Sequence, residues 1–290
     1  MVRRQRRAGR RAGGRTADSR GCLLGPHRPG ASAVTLVFTP RPGSAPLTSM
    51  VAAQARMEAR LLLRNGEQLL LALVIPVLVL VGLQQADGLL DLGPGRRIDV
   101  LTPGVLALVV LSTGFTSVAI STGFERRHGL LKRLGATPLP RSALLAGKVG
   151  AVLIVEAFQL TLISAIALGL GWQPRGGVQA LLSVVGLVLA GTAAFVGLAL
   201  LMAGTLRADT TLAAANLVYL LLLAGGGVIV PFDRYPASVQ PVMELLPTGA
   251  LAEGLRDVLD GAAVGLGHVA ILLAWTVVAA TLAARTFRWE

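Results

Sequence analysis

Six segments of this 290-residue chain contain no fixed charge: residues 68–86, 100–124, 157–174, 176–206, 210–232 and 261–284. A helix needs about 20 mostly apolar residues to cross a hydrocarbon core of roughly 30 Å, and each segment is near or above that length. In hydrocarbon only a helix or a closed barrel satisfies its own backbone, and these runs are too long and continuous for barrel strands. The expected fold class is an all-α integral membrane protein with six transmembrane helices.

Composition agrees with that reading. Charged residues are 14%, about half of the roughly 25% usual in soluble domains, and hydrophobic residues are 53%. A formal net charge of +12 invites a nucleic-acid partner, but its distribution argues against one. Ten of the 27 basic residues lie in the first 48 positions beside one acid, Asp18, whereas residues 49–290 carry 17 basic and 14 acidic groups and are only +3. One cysteine, Cys22, excludes an internal disulfide and a CxxC metal site, and three scattered histidines, His27, His128 and His268, form no ligand set. No catalytic, cofactor or metal residues are expected.

Residues 1–48 combine an Arg-rich run with clustered Pro and Gly and read as a disordered tail; residues 49–290 read as the membrane domain. No apolar stretch of about 7–15 residues follows the arginines, which argues against a secretory signal. A solvated tail, sequence upstream of a true start at Met50, an anionic-lipid tether, a targeting peptide and a nucleic-acid arm are the readings left.

Basic residues beside the spans set the orientation. Twelve, among them Arg126, Arg127, Lys148, Arg207 and Arg285, fall on one side, and five (Arg96, Arg97, Arg175, Arg234 and Arg256) on the other. Both termini are therefore expected in the cytoplasm. Before the first span, residues 50–66 should form a helix on which Arg56, Arg60 and Arg64 make one basic stripe, with Val51, Ala55 and Leu62 roughly opposite. Such a helix would lie at the cytoplasmic interface, against anionic lipid headgroups or against protein. Pro76 should kink the first span.

Between the second and third spans, leucines at helical spacing with basic groups between them predict an amphipathic helix over 125–134, ended by Ala136-Thr137-Pro138-Leu139-Pro140, with Ser142 capping the next helix. The loop suits a docking surface or is an ordinary positive-inside connection. Residues 231–260, punctuated by Pro231, Pro236, Pro241 and Pro247, should hold two short amphipathic helices, 239–246 and 248–259, half-buried at the outer interface.

These features together resemble the ABC-2-type permease family, the membrane subunits of ATP-driven exporters, especially the drug-exporting branch typified by daunorubicin-resistance permeases. The likeness spans residues 51–284. Its most specific element is Phe124-Glu125-Arg126, then Gly129, Leu131, Leu134 and Ala136-Thr137-Pro138-Leu139, ending at Gly147-Lys148. A second is Pro231, Pro236, Gln240-Pro241 and Leu245-Leu246-Pro247, then Leu255-Arg256; Thr248-Gly249 stands where the family often has Thr-Tyr.

The resemblance implies a half-transporter in a bacterial plasma membrane, dimerising with itself or a second permease around a translocation path. A separate ATP-binding cassette ATPase would dock on its cytoplasmic face, through Arg56, Arg60 and Arg64 on one helix and Glu125, Arg126, Gly129, Leu131, Leu134, Thr137 and Pro138 in the loop. The implied cargo is a hydrophobic or amphipathic drug-like compound; a lipid or lipid-linked glycan is the alternative, and an ion-coupled secondary transporter stands further off. The residues agree that ATP acts elsewhere. A phosphate loop needs Gly, four residues, then Gly-Lys-Ser/Thr, whereas Val149 follows Gly147-Lys148 and Ser142 takes the first Gly position.

Glu156 is the acid embedded in apolar sequence, with Gln159 on the same helical face. A charge near mid-bilayer costs about 2.5–3.5 kcal/mol on insertion scales, so such groups face a cavity or a partner. Glu156 and Gln159 are thus candidates for a polar patch on the path; the alternative is a carboxyl near the cytoplasmic boundary paired with Lys148 or Arg141. Gly186, Ala190 and Ala194 form a small-residue stripe for close helix contact.

Overall fold

The computed structural model describes residues 45–64, 66–85, 96–130, 133 and 140–286. The expected tail therefore lies, up to residue 44, outside the described residues, as do Leu131, Leu134, Thr137 and Pro138. Within the compact unit Ser44–Glu290 the described regular structure is helical, with one isolated bridge pairing Arg175 and Asp260.

Ten α-helices follow one another among these residues. They are α1 Leu47–Arg64, α2 Gly66–Gln85, α3 Arg97–Leu111, α4 Val118–Arg127, α5 Arg141–Gly169, α6 Gly177–Thr205, α7 Ala208–Gly225, α8 Gln240–Glu244, α9 Pro247–Leu259 and α10 Leu266–Thr286. Five stretches are long and apolar enough to cross a membrane: Arg97–Arg127, Ser142–Gly169, Gly177–Thr205, Ala208–Gly225 and Leu266–Thr286. The sixth expected span falls on α2, where the apolar stretch Ala72–Gln85 is shorter and Pro76 sits inside the helix.

The stretch Arg97–Arg127 is the axis of the bundle, with 78% of its most apolar window buried, against 17% for α7 and 11% for α10. It is not one α-helix. A six-residue π-helical segment, Ser112–Ser117, joins α3 to α4. Wide turns of this kind occur mostly as short bulges and often at functional sites. Phe115 in this segment is fully buried.

Two expected boundaries move. The third span was placed at 157–174, but α5 begins at Arg141 and ends at Gly169, ahead of Gly171 with φ +93°. Glu156 therefore sits in the middle of a 29-residue helix rather than at its edge. Ser142 does not cap α5: Pro140 holds the N-cap position and its carbonyl receives the amides of Ala143 and Leu144. The fifth span was placed at 210–232, but α7 stops at Gly225. Gly227 (φ +59°) turns the chain, and its bare Cα faces the Phe232 ring, where a side chain would collide.

The helix α9 departs most from expectation. It is buried more completely than the half-buried helix expected there: it is sunk among α3, α6 and α10, with Pro247–Ala252, Gly254–Arg256 and Val258–Leu259 buried. Small residues make the room. Gly191 of α6 abuts the Leu251 side chain, and Gly254 abuts Leu187. A side chain at Gly249 would strike the Met243 carbonyl, which explains why the tyrosine common in the family has no place here. The expected stripe on α6 is a contact surface in part: Ala194 is buried and Ala190 packs against the core, but Gly186 is exposed with open space around it; further along, a methyl on Gly197 would stand 3.1 Å from that of Ala279 on α10.

Gly104 of α3 receives the Val228 carbonyl oxygen, so a methyl there has no room. Overpacking of this kind costs about 1–3 kcal/mol. Thermal melting in detergent should show Gly104→Ala clearly destabilised, while Gly186→Ala, facing open space, is neutral or slightly stabilised.

Candidate functional site

The end of the bundle that holds Lys148 is built from α1, the last turn of α4, the first turns of α5 and the junction of α6 with α7. There α1 lies along α5. Its Gln54, Ala55 and Ala59 are buried, and two glycines of α5 admit them: a side chain on Gly147 would press on Gln54, and one on Gly150 would stand 3.2 Å from the Ala55 methyl. The face carrying Arg56, Arg60 and Arg64 is exposed, along with Met57, Leu61 and Leu63. Of the two readings for this helix, its alanine side docks on protein.

Lys148 is the electrostatic centre of this end. The residue is 4% exposed, and its ammonium lies 2.7 Å from Glu125 Oε1 and 3.2 Å from Glu58 Oε1. Gln54 Nε2 donates to Glu58 at 2.9 Å. One buried cation thus ties α1, α4 and α5 together. Glu58 and Lys148 were absent from the expected coupling set; their partners lie 90 and 23 residues away in sequence, and no local pattern announces such pairs.

The next two residues extend the junction. Arg126 Nη1 donates to the Ala203 carbonyl at 2.8 Å and Nη2 donates to that of Leu206, capping the C-terminal end of α6. Helix C-termini leave carbonyls without intrahelical partners and carry partial negative charge, so a guanidinium is well matched there. Arg127 pairs with Asp209 in the first turn of α7 at 2.7 Å. Three successive side chains thus fasten α4 to α5 (with α1), α6 and α7. The expected amphipathic helix over 125–134 is interrupted near its start: Glu125–Arg127 complete α4, His128-Gly129 form a turn with Gly129 at φ +68°, and beyond it Leu130 and Arg133 are helical.

A second polar cluster lies inside the bundle, about 12 Å along α5 from Lys148 at 1.5 Å per residue. Glu156 and Gln159 are each 1% exposed. Thr113 of the π-helical segment donates to Gln159 Oε1 at 2.7 Å, and Gln159 Nε2 donates to the Ala72 carbonyl of α2 at 3.4 Å. Thr192 Oγ1 of α6 lies 2.6 Å from Glu156 Oε2, while Glu156 Oε1 has no partner. Lys148 does not reach Glu156, so the boundary ion pair is not formed. Both residues are sealed and line no open path in this conformation.

At the opposite end, Arg256 of α9 is buried and bonds Glu253 at 2.7 Å and the Gly227 and Val228 carbonyls at 2.5 and 3.0 Å. Burial lowers its pKa, and the charge of Glu253 opposes that. His268 bonds Asp257 at 3.2 Å.

Among the described residues, five stretches long and apolar enough to cross a membrane, packed round a largely buried central one, define a multi-pass membrane protein. Residues 48–259 match the ABC-2 type transporter family, and the chain belongs to that family. Among curated proteins it is similar to "Putative transport permease YvfS" of Bacillus subtilis (strain 168), 24% identical over 169 residues, covering 57% of this chain and 67% of that one. The protein is thus the membrane permease subunit of an ABC transporter, and ATP hydrolysis belongs to a partner ATPase.

Replacing Lys148 by Met leaves two facing carboxylates without their cation. Breaking a buried pair from one side costs about 3–5 kcal/mol. Denaturation should report a loss of that order for Lys148→Met, and most of it should return when Glu58→Gln and Glu125→Gln are added.

Proposed function

We propose that this permease is half of an exporter that moves a hydrophobic or amphipathic, drug-like compound out of a bacterial cell. It does so as a homodimer or heterodimer in the plasma membrane. Six helices cross the bilayer, α2 being the first, and both termini are cytoplasmic. The support for orientation is the basic asymmetry: Arg56, Arg60, Arg64, Arg126, Arg127, Lys148 and Arg207 gather at one end of the bundle. Residues 1–48 are a tail outside the permease domain, 49–290.

The observation that carries the proposal is the Glu58–Lys148–Glu125 triad. It joins an exposed basic helix to the ends of two membrane helices, so a push on α1 is delivered to the bundle through short, buried charge pairs. The ATPase docks on the face of Arg56, Arg60 and Arg64 and on the 125–138 connection, which includes Glu125, Arg126, Gly129, Leu131, Leu134, Thr137 and Pro138. Neither lipid headgroups nor nucleic acid is the main partner of that face. The path opens where α4 and α6 part around the Glu156–Gln159 layer. Lipid and lipid-linked glycan cargo is the competing reading; the leucines that α7 and α10 expose fit the lipid-facing or permease-facing surface of either exporter.

Co-purification with a candidate ATP-binding cassette ATPase tests this directly. The complex should be stable and hydrolysis should rise when the two are joined. Because the three arginines are exposed, Arg56→Glu, Arg60→Glu and Arg64→Glu together should leave the fold intact yet weaken docking about tenfold, equal to about 1.4 kcal/mol. Unchanged docking with weaker binding to anionic vesicles would assign that face to lipid. Reporter tags in the 125–148 connection should read cytoplasmic; an external reading would reverse the orientation.

A further inference from the structure

The interior cluster around Glu156 is an incomplete set of hydrogen bonds unless one more hydrogen is present. Thr192 Oγ1 stands 2.6 Å from Glu156 Oε2 and 2.8 Å from the Val188 carbonyl oxygen one turn back on its own helix. A threonine hydroxyl has one hydrogen to give. Both contacts are hydrogen bonds only if the carboxyl supplies the second hydrogen, donating to Thr192 Oγ1 while Thr192 donates to Val188. An ionised carboxylate would accept at most one bond from Thr192, and its other oxygen, Oε1, has no donor in reach.

Among the described residues no charged side chain compensates such an anion. Thr192 of α6 bonds its Oε2, and Gly114 of the π-helical segment turns its bare Cα to Oε1. Gln159, one turn along α5, is engaged by Thr113, and Lys148, two turns back, is engaged by Glu58 and Glu125. A buried charge without a partner neutralises rather than stays ionised.

We propose that Glu156 is a proton-binding site: its carboxyl is carried as the neutral acid in the bundle interior, and its O–H donates to Thr192 Oγ1, clasping α5 to α6 beside the π-helical segment. The ligand is a proton, and the assignment rests on the geometry of the cluster rather than on the cargo or the ATPase. Gly114 is part of it, because a methyl there would stand 3.3 Å from Oε1 and press the carboxyl away from Thr192.

Infrared difference spectra of the purified full-length permease in lipid vesicles at neutral pH test the assignment. Wild type minus Glu156→Gln should show the carbonyl band of a protonated carboxyl, shifted in D2O and absent from the variant. Thr192→Val removes the acceptor and should move that band to higher frequency, the mark of a weaker hydrogen bond. An amide is the nearest mimic of a neutral acid, so Glu156→Gln must also fold and melt close to wild type. Absence of the band, a band indifferent to both substitutions, or collapse of the glutamine variant would each overturn the site.

Discussion

Lipid offers a side chain no hydrogen bonds, and that shortage governs how this bundle is joined. Each polar group carried into the interior has to find its partner within the protein, so the partners become fixed points between helices. Lys148 holds α1 and α4 to α5, Arg126 and Arg127 hold α4 to α6 and α7, and Arg256 holds the turn after α7 to α9. Between these two polar ends, apart from the Glu156–Gln159 cluster, the apolar layers need only shape. There glycines decide which helices approach closely, as Gly197 does for α10.

The arrangement suits a device driven from one side. A separate ATPase can act on the membrane helices only through groups that are both reachable and rigidly joined to them. The basic face of α1 is reachable, and its buried face is tied to α5 by a salt bridge flanked by Gln54 and two glycines. Family membership requires a partner of that kind. The nucleotide chemistry stays on the other polypeptide.

Much of this was legible in residue order. Charge-free runs marked the membrane helices, and Phe124-Glu125-Arg126 marked the junction where α4 meets its neighbours. What escaped the sequence is of three physical kinds. Long-range pairs such as Glu58 with Lys148 depend on which faces of distant helices meet. The π-helical turn at Ser112–Ser117 comes from packing at the bundle's centre and leaves no residue signature. Burial of α9 also eluded the pattern: its amphipathic look suggests an interface, yet its polar Arg256 is satisfied by the carbonyls of a neighbouring turn. Gly186 shows the converse, a motif-like spacing pointing to empty space.

The seat of the Val228 carbonyl in Gly104 bears on how such a molecule can let anything out. With Arg256 gripping the same carbonyl and Gly226 pressed on Thr248, the outer turn and α9 are keyed to α3 as one block. A block keyed in this way has no loose flap to lift. Movement at this end therefore carries the turn after α7, α9 and α3 together as a single solid piece.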